Sequence, residues 1–535
     1  MTEATDSARP LYDDPVIFRR RWFLCGIMCL SLVMVVMSVA GLNVALPSLQ
    51  TDLNATATEL QWIIDAYALV FAALLLPAGA LGDRFGRKRA LLLGLTIFAL
   101  GSLVGGIGTN APQIIAGRII NGIGAAFVMP ATLSLITTIF PPNERSKAIA
   151  LWAGFAGAGG ALGPILSGAL LENFWWGSAF LVNVPIVAVV VTSVAIFSPT
   201  SKDPDATPLD PIGALLSLLG LAGLVFAIIE GPERGWTDGA VIGAFVLAVV
   251  CLTGFLLWER RSVHPMLPLT FFEDRRMSAG SAVVTVAFFV MFGLFFLLTL
   301  YLQFVRDYSP LAAGLATLPL AVTLVAVAPR SASLALRIGS GLVMAVGFLC
   351  IGGGFGILSF LATDTPYLVL VVSLVLLGAG LSLTAAPATA CIMNSVPQAK
   401  AGVGSAVNDT TREVGGALGI AVLGSISNAV YRSSINIDDL PLPPPVKAAA
   451  EESIGAATFI ARSLPEGGRE LAARAGSAFT HSFSVTSRVA LAVTVVSAAV
   501  VAWAFSHKSE LAAAGVSENA ATEPPVHVDL APEGT

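Results

Sequence analysis

Long apolar runs decide what this chain can fold into. From Trp22 to Thr51 no charged residue occurs. Further runs follow at 61–82, 90–109, 111–139, 148–171, 177–198, 211–229, 239–258, 277–305, 311–334, 340–362, 365–392, 401–430 and 480–506. A bilayer core is about 30 Å thick and takes about 20 helical residues to cross. Only a helix or a closed barrel can satisfy its backbone in lipid. Barrel strands alternate over about ten residues, and these runs are longer and continuous. The expected fold is therefore an all-α integral membrane protein with fourteen transmembrane helices, the pair at 211–258 barely reaching the required length.

Composition agrees. Of 535 residues, 56% are hydrophobic and 12% charged, with a mean hydropathy of +0.83. Soluble domains carry roughly 25% charged residues, so a soluble enzyme is excluded, and disorder needs the opposite composition. The net charge of −5 gives no reason to expect nucleic acid. Arg19, Arg20 and Arg21 precede the first run, but that run is far longer than a signal-peptide core and ends in no clean cleavage site, so it reads as a retained span. The five cysteines (Cys25, Cys29, Cys251, Cys350, Cys391) lie inside apolar runs without metal spacing, and such thiols behave as small hydrophobes. With four His in the chain, no zinc or haem site and no cofactor are expected.

Basic residues of short loops set the orientation. Arg19–Arg21, Arg84, Arg87, Lys88, Arg89, Arg145, Lys147, Lys202, Arg260, Arg261, Arg275, Arg276, Arg330, Arg337, Lys400 and Lys508 fall on one side; the opposite short loops hold Arg234 and Arg306. Both termini are thus expected in the cytoplasm. The long stretch 431–479 then lies outside, Pro-rich first and Ala/Glu/Arg-rich with helical composition after. Residues 507–535 read as a disordered cytoplasmic tail.

The turn after the second span reads Gly79-Ala80-Leu81-Gly82-Asp83-Arg84-Phe85-Gly86-Arg87-Lys88-Arg89. Gly79 and Gly82 permit close helix approach, and Gly86 permits a sharp turn. Asp83 sits at a helix C-terminus, where the dipole disfavours an anion. It therefore needs a partner, either an Arg or the N-terminus of another helix.

This segment resembles the gating loop of the major facilitator superfamily. Arg118-Ile119-Ile120-Asn121-Gly122 is similar to that family's fourth-span motif, with Asn121 where Gln is usual. Gly159, Gly163, Pro164 and Gly168 resemble its antiporter motif, with Ser167 replacing a Gly. Trp176-Gly177-Ser178-Ala179-Phe180-Leu181-Val182-Asn183-Val184-Pro185 resembles the entry to its sixth span. Tyr301-Leu302-Gln303 with Ser309, Pro310 and Gly314 is similar to the fourteen-span drug:proton antiporters of the QacA/EmrB type. The resemblance runs from about residue 20 to 506. It implies two six-helix bundles at 22–198 and 263–506 that rock around a central cavity, with two additional helices at 199–262 between them. Residues 1–21 would form the cytoplasmic N-terminus. Around Arg330–Gly341 a degenerate copy of the gating loop keeps Arg337 and Gly339 but no acid.

Charges inside spans normally face a cavity or a partner. Asp65, beside Trp62 and Tyr67, lies about 5 Å inside the outer end of its span. It is either a rim carboxylate in water or a proton or cation site; QacA-like exporters carry an acid there. Arg118, about 10 Å deep, is either a clamp between helices or the family's helper for proton release, and a pair with Asp65 is geometrically allowed. Asp409 lies about 12 Å deep, with Arg412 and Glu413 three and four residues on. An Asp–Arg pair alone can be structural, but Glu413 leaves one acid uncompensated, and QacA-like relatives carry acids at both places. Phe288, Phe289, Phe292, Phe295 and Phe296 either line a cavity or pack between helices. The family's usual first-span acid is replaced by Ser38, which cannot carry a proton, so any coupling runs through Asp65, Asp409 or Glu413.

The function expected is a proton-driven multidrug antiporter, a monomer in the bacterial cytoplasmic membrane exporting lipophilic, cationic small molecules. A lipid or metabolite exporter of the same fold with altered coupling is the nearer alternative, and a non-transporting membrane sensor or scaffold the remoter one.

Overall fold

The computed structural model describes residues 10–53, 57–202, 208, 210–464 and 467–505; residues 1–9 and the tail at 507–535 lie outside them. Its first half holds α1 (Pro15–Leu53), α2 (Ala57–Phe85), α3 (Arg87–Gly106), α4 (Ala111–Ile139), α5 (Pro142–Leu171), α6 (Ser178–Leu181) and α7 (Asn183–Phe197). Two further helices follow, α8 (Pro211–Arg234) and α9 (Gly239–Glu259). The second half holds α10 (Arg275–Leu300), α11 (Pro310–Ala316), α12 (Leu318–Ile338), α13 (Ser340–Leu358), α14 (Tyr367–Asn394), α15 (Ala401–Ser434), α16 (Pro444–Glu452), α17 (Ile454–Ser463) and α18 (Gly468–Ala504). Fourteen helical segments are long and apolar enough to cross a membrane, and no strand occurs among the described residues. The fourteen-span reading therefore holds.

Helix starts follow local chemistry. Asn110, Asp210, Asp238, Asp274 and Ser309 each place a side-chain oxygen on the first free N–H groups of α4, α8, α9, α10 and α11, the ordinary N-cap bond. Pro77, Pro130, Pro164, Pro329 and Pro387 lie within helices, a placement that membrane helices tolerate because neighbours re-satisfy the freed carbonyls.

In the first half α3 packs on α4, α2 on α4 and α1 on α5; in the second α10 packs on α15, α13 on α14 and α18, and α12 on α14. The halves meet where α5 lies against α11, α12 and α14, and where α2 crosses α15. α8 packs on both α2 and α15, bridging the halves, and α9 packs on α8. The Trp258 indole donates to Asp210 at 2.9 Å and the Leu267 N–H to Glu259 at 3.2 Å, which ties the ends of this pair together.

Several boundaries differ from the sequence reading. The run at 177–198 is two helices, broken at Val182, and Asn183 donates back to the Phe180 carbonyl at 3.1 Å. The run at 277–305 ends in a turn of π-helix, Tyr301–Val305, whose Tyr301 hydroxyl donates to the Ala362 carbonyl at 2.8 Å. The stretch 431–479 is mostly helical: α15 continues to Ser434, α16 and α17 follow, and α18 begins at Gly468. Ile437, Leu440, Ala450, Ile454, Ala457 and Leu471 are buried there. Hydropathy finds the part of a helix that lipid covers; helical extension beyond lipid is paid by packing among the segments themselves, here including a Tyr431 hydroxyl bond to the Ala450 carbonyl at 2.9 Å. Arg462 pairs with Asp307 at 2.7 Å, and Arg474 with Asp439. The Arg474 bond holds the exposed Asp439 carboxyl below the usual carboxylate range.

Candidate functional site

The turn between α2 and α3 meets the start of α15 on the face of the molecule that carries both ends of the described chain. Asp83 Oδ1 accepts the Gly402 N–H at 2.9 Å, and Oδ2 accepts the Val403 N–H at 3.1 Å. Arg87 Nε donates to Asp83 Oδ1 at 2.9 Å. Asp83 thus has both partners its position demanded, an Arg and a helix N-terminus whose free N–H groups attract an anion. Asp83 and Arg87 are both 2% exposed, so this contact between the halves is dry. The Arg87 guanidinium also donates to the carbonyls of Gln398 and Ala399 and to the Ser201 hydroxyl. Lys88 caps the end of α7 by donating to the Ala195 and Ser198 carbonyls, both at 2.8 Å.

Glycine makes the crossing close enough. A Cβ on Gly79 would stand 2.6 Å from the Gly402 carbonyl, and one on Gly402 the same distance from the Gly79 carbonyl. A Cβ on Gly82 would meet that of Ala90 at 3.4 Å, and Gly86 turns the chain at φ +111°. In the degenerate copy Gly339 makes the same kind of turn between α12 and α13, at φ +87°. Beside the crossing, a cavity of about 140 Å³ opens among α2, α8 and the start of α15, touched by Ala80, Arg84, Asp210 and Lys400.

The glycines of α5 serve two interfaces. Gly159 and Gly163 face α1: added Cβ atoms would lie 3.0 Å from Val36 Cβ and 2.6 Å from the Met37 carbonyl. Pro164 and Gly168 face α11: a Cβ on Gly314 would lie 3.2 Å from that of Pro164, and one on Gly168 3.1 Å from that of Leu311. Asn121 ties α4 to α3 by donating to the Phe98 carbonyl at 2.7 Å and Ser102 Oγ at 3.1 Å.

Nine to thirteen residues into α15 lies the second cluster. Asp409 is fully buried; Asn408 Nδ2 donates to its Oδ1 at 3.2 Å, while Oδ2 has no hydrogen-bond partner. Thr389 of α14 donates to Asn408 Oδ1 at 2.9 Å. Arg412 Nη1 lies 3.5 Å from Asp409 Oδ1, an ion pair without a hydrogen bond. The Arg412 guanidinium carbon sits 4.5 Å from the centre of the Phe288 ring and 5.3 Å from that of Trp152. Glu413 is half-buried one residue on.

In α4, Arg118 is fully buried. Its Nε donates to the Ile63 carbonyl at 2.9 Å and its guanidinium lies 4.3 Å over the Tyr67 ring. Both terminal nitrogens lack a hydrogen-bond partner, so Arg118 is not hydrogen-bonded to Asp65. Asp65 is half-buried in α2, three residues inside the apolar segment that starts at Trp62 and so about 5 Å deep, although α2 itself begins earlier, at Ala57. Ser38 is half-buried in α1. Of the Phe stripe, Phe288 is buried, Phe289, Phe292 and Phe295 are half-buried and Phe296 is 40% exposed; Gly415, Gly416 and Gly419 of α15 accept α10 closely there, so packing is its main work.

Trp152 and Thr389 were not legible as site residues. They reach this cluster only through the fold, from α5 and α14, whereas Asn408 adjoins Asp409 in the sequence itself.

Residues 28–420 match the profile of the Major Facilitator Superfamily. The chain is 35% identical over 488 residues to the multidrug efflux pump LfrA of Mycolicibacterium smegmatis, covering 91% of this chain and 96% of that one. It is 32% identical over 525 residues to the tetracenomycin C resistance and export protein of Streptomyces glaucescens, covering 96% of each. Among solved structures, the human organic anion transporter MFSD10 (TETRAN) superposes with a TM-score of 0.56 at 15% identity, covering 89% of this chain and 99% of that one.

Proposed function

The chain belongs to the Major Facilitator Superfamily, and from that premise we propose that it is a multidrug exporter driven by the proton gradient. It works as a monomer in the bacterial cytoplasmic membrane, with both termini in the cytoplasm, and moves lipophilic cations outward by alternating access. The observation that carries this reading is Asp409: a fully buried carboxyl with one oxygen unpartnered, next to a second acid and a single Arg. A buried charge that is not fully paired costs several kcal/mol, so such a group persists where it is alternately neutralised by a proton and by something else. The names of the similar proteins, a multidrug efflux pump and a resistance and export protein, support small-molecule drugs as cargo.

On this reading the dry Asp83–α15 contact is the closed cytoplasmic gate. With that gate open, Asp409 or Glu413 releases a proton inward as the cation arrives. With it closed and the outer side open, a proton from outside takes the carboxylate and the cation leaves. Arg118, with two buried donors unpartnered, supplies positive charge in the first half beside the path of the cargo. Asp65 lies on the outer path of the proton. No cofactor is required.

The test is uptake of ethidium into energised everted vesicles, where export from the cell appears as accumulation in the lumen. Asp409→Asn should abolish uptake into such vesicles while protein abundance stays normal; export that survives in this variant removes Asp409 from the mechanism. Ser38 favours a second reading, a lipid or metabolite exporter with altered coupling, for which wild-type transport would persist after an uncoupler collapses the pH gradient.

A further inference from the structure

Trp152 and Arg412 belong to opposite halves and meet at the midplane. Trp152 lies ten residues into α5 and Arg412 eleven into α15, each about 15–17 Å from the gate face. Trp152 is the largest fully buried side chain. Its Nε1 donates to Thr132 Oγ1 of α4 at 3.1 Å, so the ring moves with the first half. Trp is the strongest aromatic partner for a guanidinium within about 6 Å of its centre, and the attraction grows where water is excluded. The Arg412 head lies between two pulls: rings at 5.3 Å and 4.5 Å, and the Asp409 carboxyl at 3.5 Å. At that distance it makes no hydrogen bond, although a charge-assisted one closes to about 2.7–2.9 Å.

We propose that Trp152 is a positioning residue that holds the Arg412 guanidinium off Asp409 while the cytoplasmic gate is closed, so that rocking of the first half withdraws the ring and delivers Arg412 onto the carboxylate. This rests on the antiport reading and deepens it. The state that faces the cytoplasm then favours an ionised Asp409, and the closed state leaves that carboxyl free to take a proton. Phe288 belongs to α10 of the same half as Arg412, so it stays behind as a constant wall, and Trp152 is the part of the cradle that moves.

The other titratable groups facing this point are few. Glu413 is on the same helix, Tyr67 is on α2 and Arg118 on α4. On α5 and α10 the charged side chains lie at the helix ends, Glu144, Arg145 and Lys147 in one and Arg275 and Arg276 in the other; α14 has none. On α18, His481 and Arg488 are exposed, and on α8, Glu230 and Arg234 pair with each other near its outer end.

The test is infrared titration of the purified protein in liposomes, following the protonated-carboxyl band that Asp409→Asn removes. Trp152→Leu should move the midpoint of that band to lower pH by about one unit, the size expected when one desolvated cation–π contact is lost. Trp152→Phe, which keeps a ring, should restore most of the shift. In a Trp152→Leu, Arg412→Gln double variant the tryptophan change should add nothing. A band that titrates identically in wild type and Trp152→Leu, or a Phe variant no better than Leu, overturns the positioning role alone. A wild-type protein with no titrating Asp409 band between pH 5 and 9, while ethidium export persists, overturns the antiport reading and this inference with it.

Discussion

Replacing Asp83 with Asn removes a charge and leaves the shape. The aspartate accepts two backbone N–H groups from Gly402 and Val403 and one donor from Arg87, at 2.9, 3.1 and 2.9 Å. Asn offers one carbonyl oxygen, and its amide group would point N–H at N–H, so at least one helix donor is stranded. Arg87 loses its buried counter-charge as well. Breaking one side of a buried ion pair costs about 3–5 kcal/mol, and bonds to a charged acceptor contribute about 1.5–3 kcal/mol each. The two helix bonds span the halves and exist only while the gate is closed. Their loss should therefore lower the closed-to-open ratio by at least about a hundredfold, since 1.36 kcal/mol is tenfold. Spin labels at Arg89→Cys and Pro397→Cys, on opposite sides of the crossing and exposed, would report it by double electron–electron resonance in liposomes. The background must lack the five native cysteines, of which Cys350 is only half-buried. The expected result is a long-distance population that is minor in the parent and dominant in Asp83→Asn. An unchanged distance distribution in a folded variant would refute the reasoning that these bonds hold the gate.

Gly163→Ala should lower the thermal midpoint in detergent, by the equivalent of about 1–3 kcal/mol for an overpacked contact, because the new Cβ would stand 2.6 Å from the Met37 carbonyl and 2.7 Å from the Gly41 nitrogen. Gly160→Ala, with nothing within 4 Å, is the control and should be neutral; equal midpoints for the two would count against the packing argument. The Asp439–Arg474 tie of the outer helical segment should depend on acidity. A carboxyl held below its ordinary value stabilises the fold fully above the ordinary carboxylate range and ceases to as pH falls through its lowered value. Hydrogen exchange of residues 435–452 should therefore quicken on acidification below about pH 4, and Asp439→Asn should remove that step; a step that survives in the variant assigns it elsewhere.

Fourteen spans, an all-helical fold and the positions of the buried charges were determined by the sequence itself, because lipid imposes a length and a polarity that composition alone can meet or fail. The need of Asp83 for a cation or a helix N-terminus was also local, since the dipole at the end of its own helix repels it. Which N-terminus answers, 319 residues away in α15, was not. Hydropathy likewise stopped at the lipid boundary; composition marked the later part of 431–479 as helical, but the added turns of α15 and α18 and the packing of these segments became visible only when their apolar faces met. The same holds at the midplane. A tryptophan in α5 looks like ordinary lining until two halves pack. Cation–π contacts and side-chain hydrogen bonds act over a few ångströms, between residues whose separation along the chain carries no trace of their meeting.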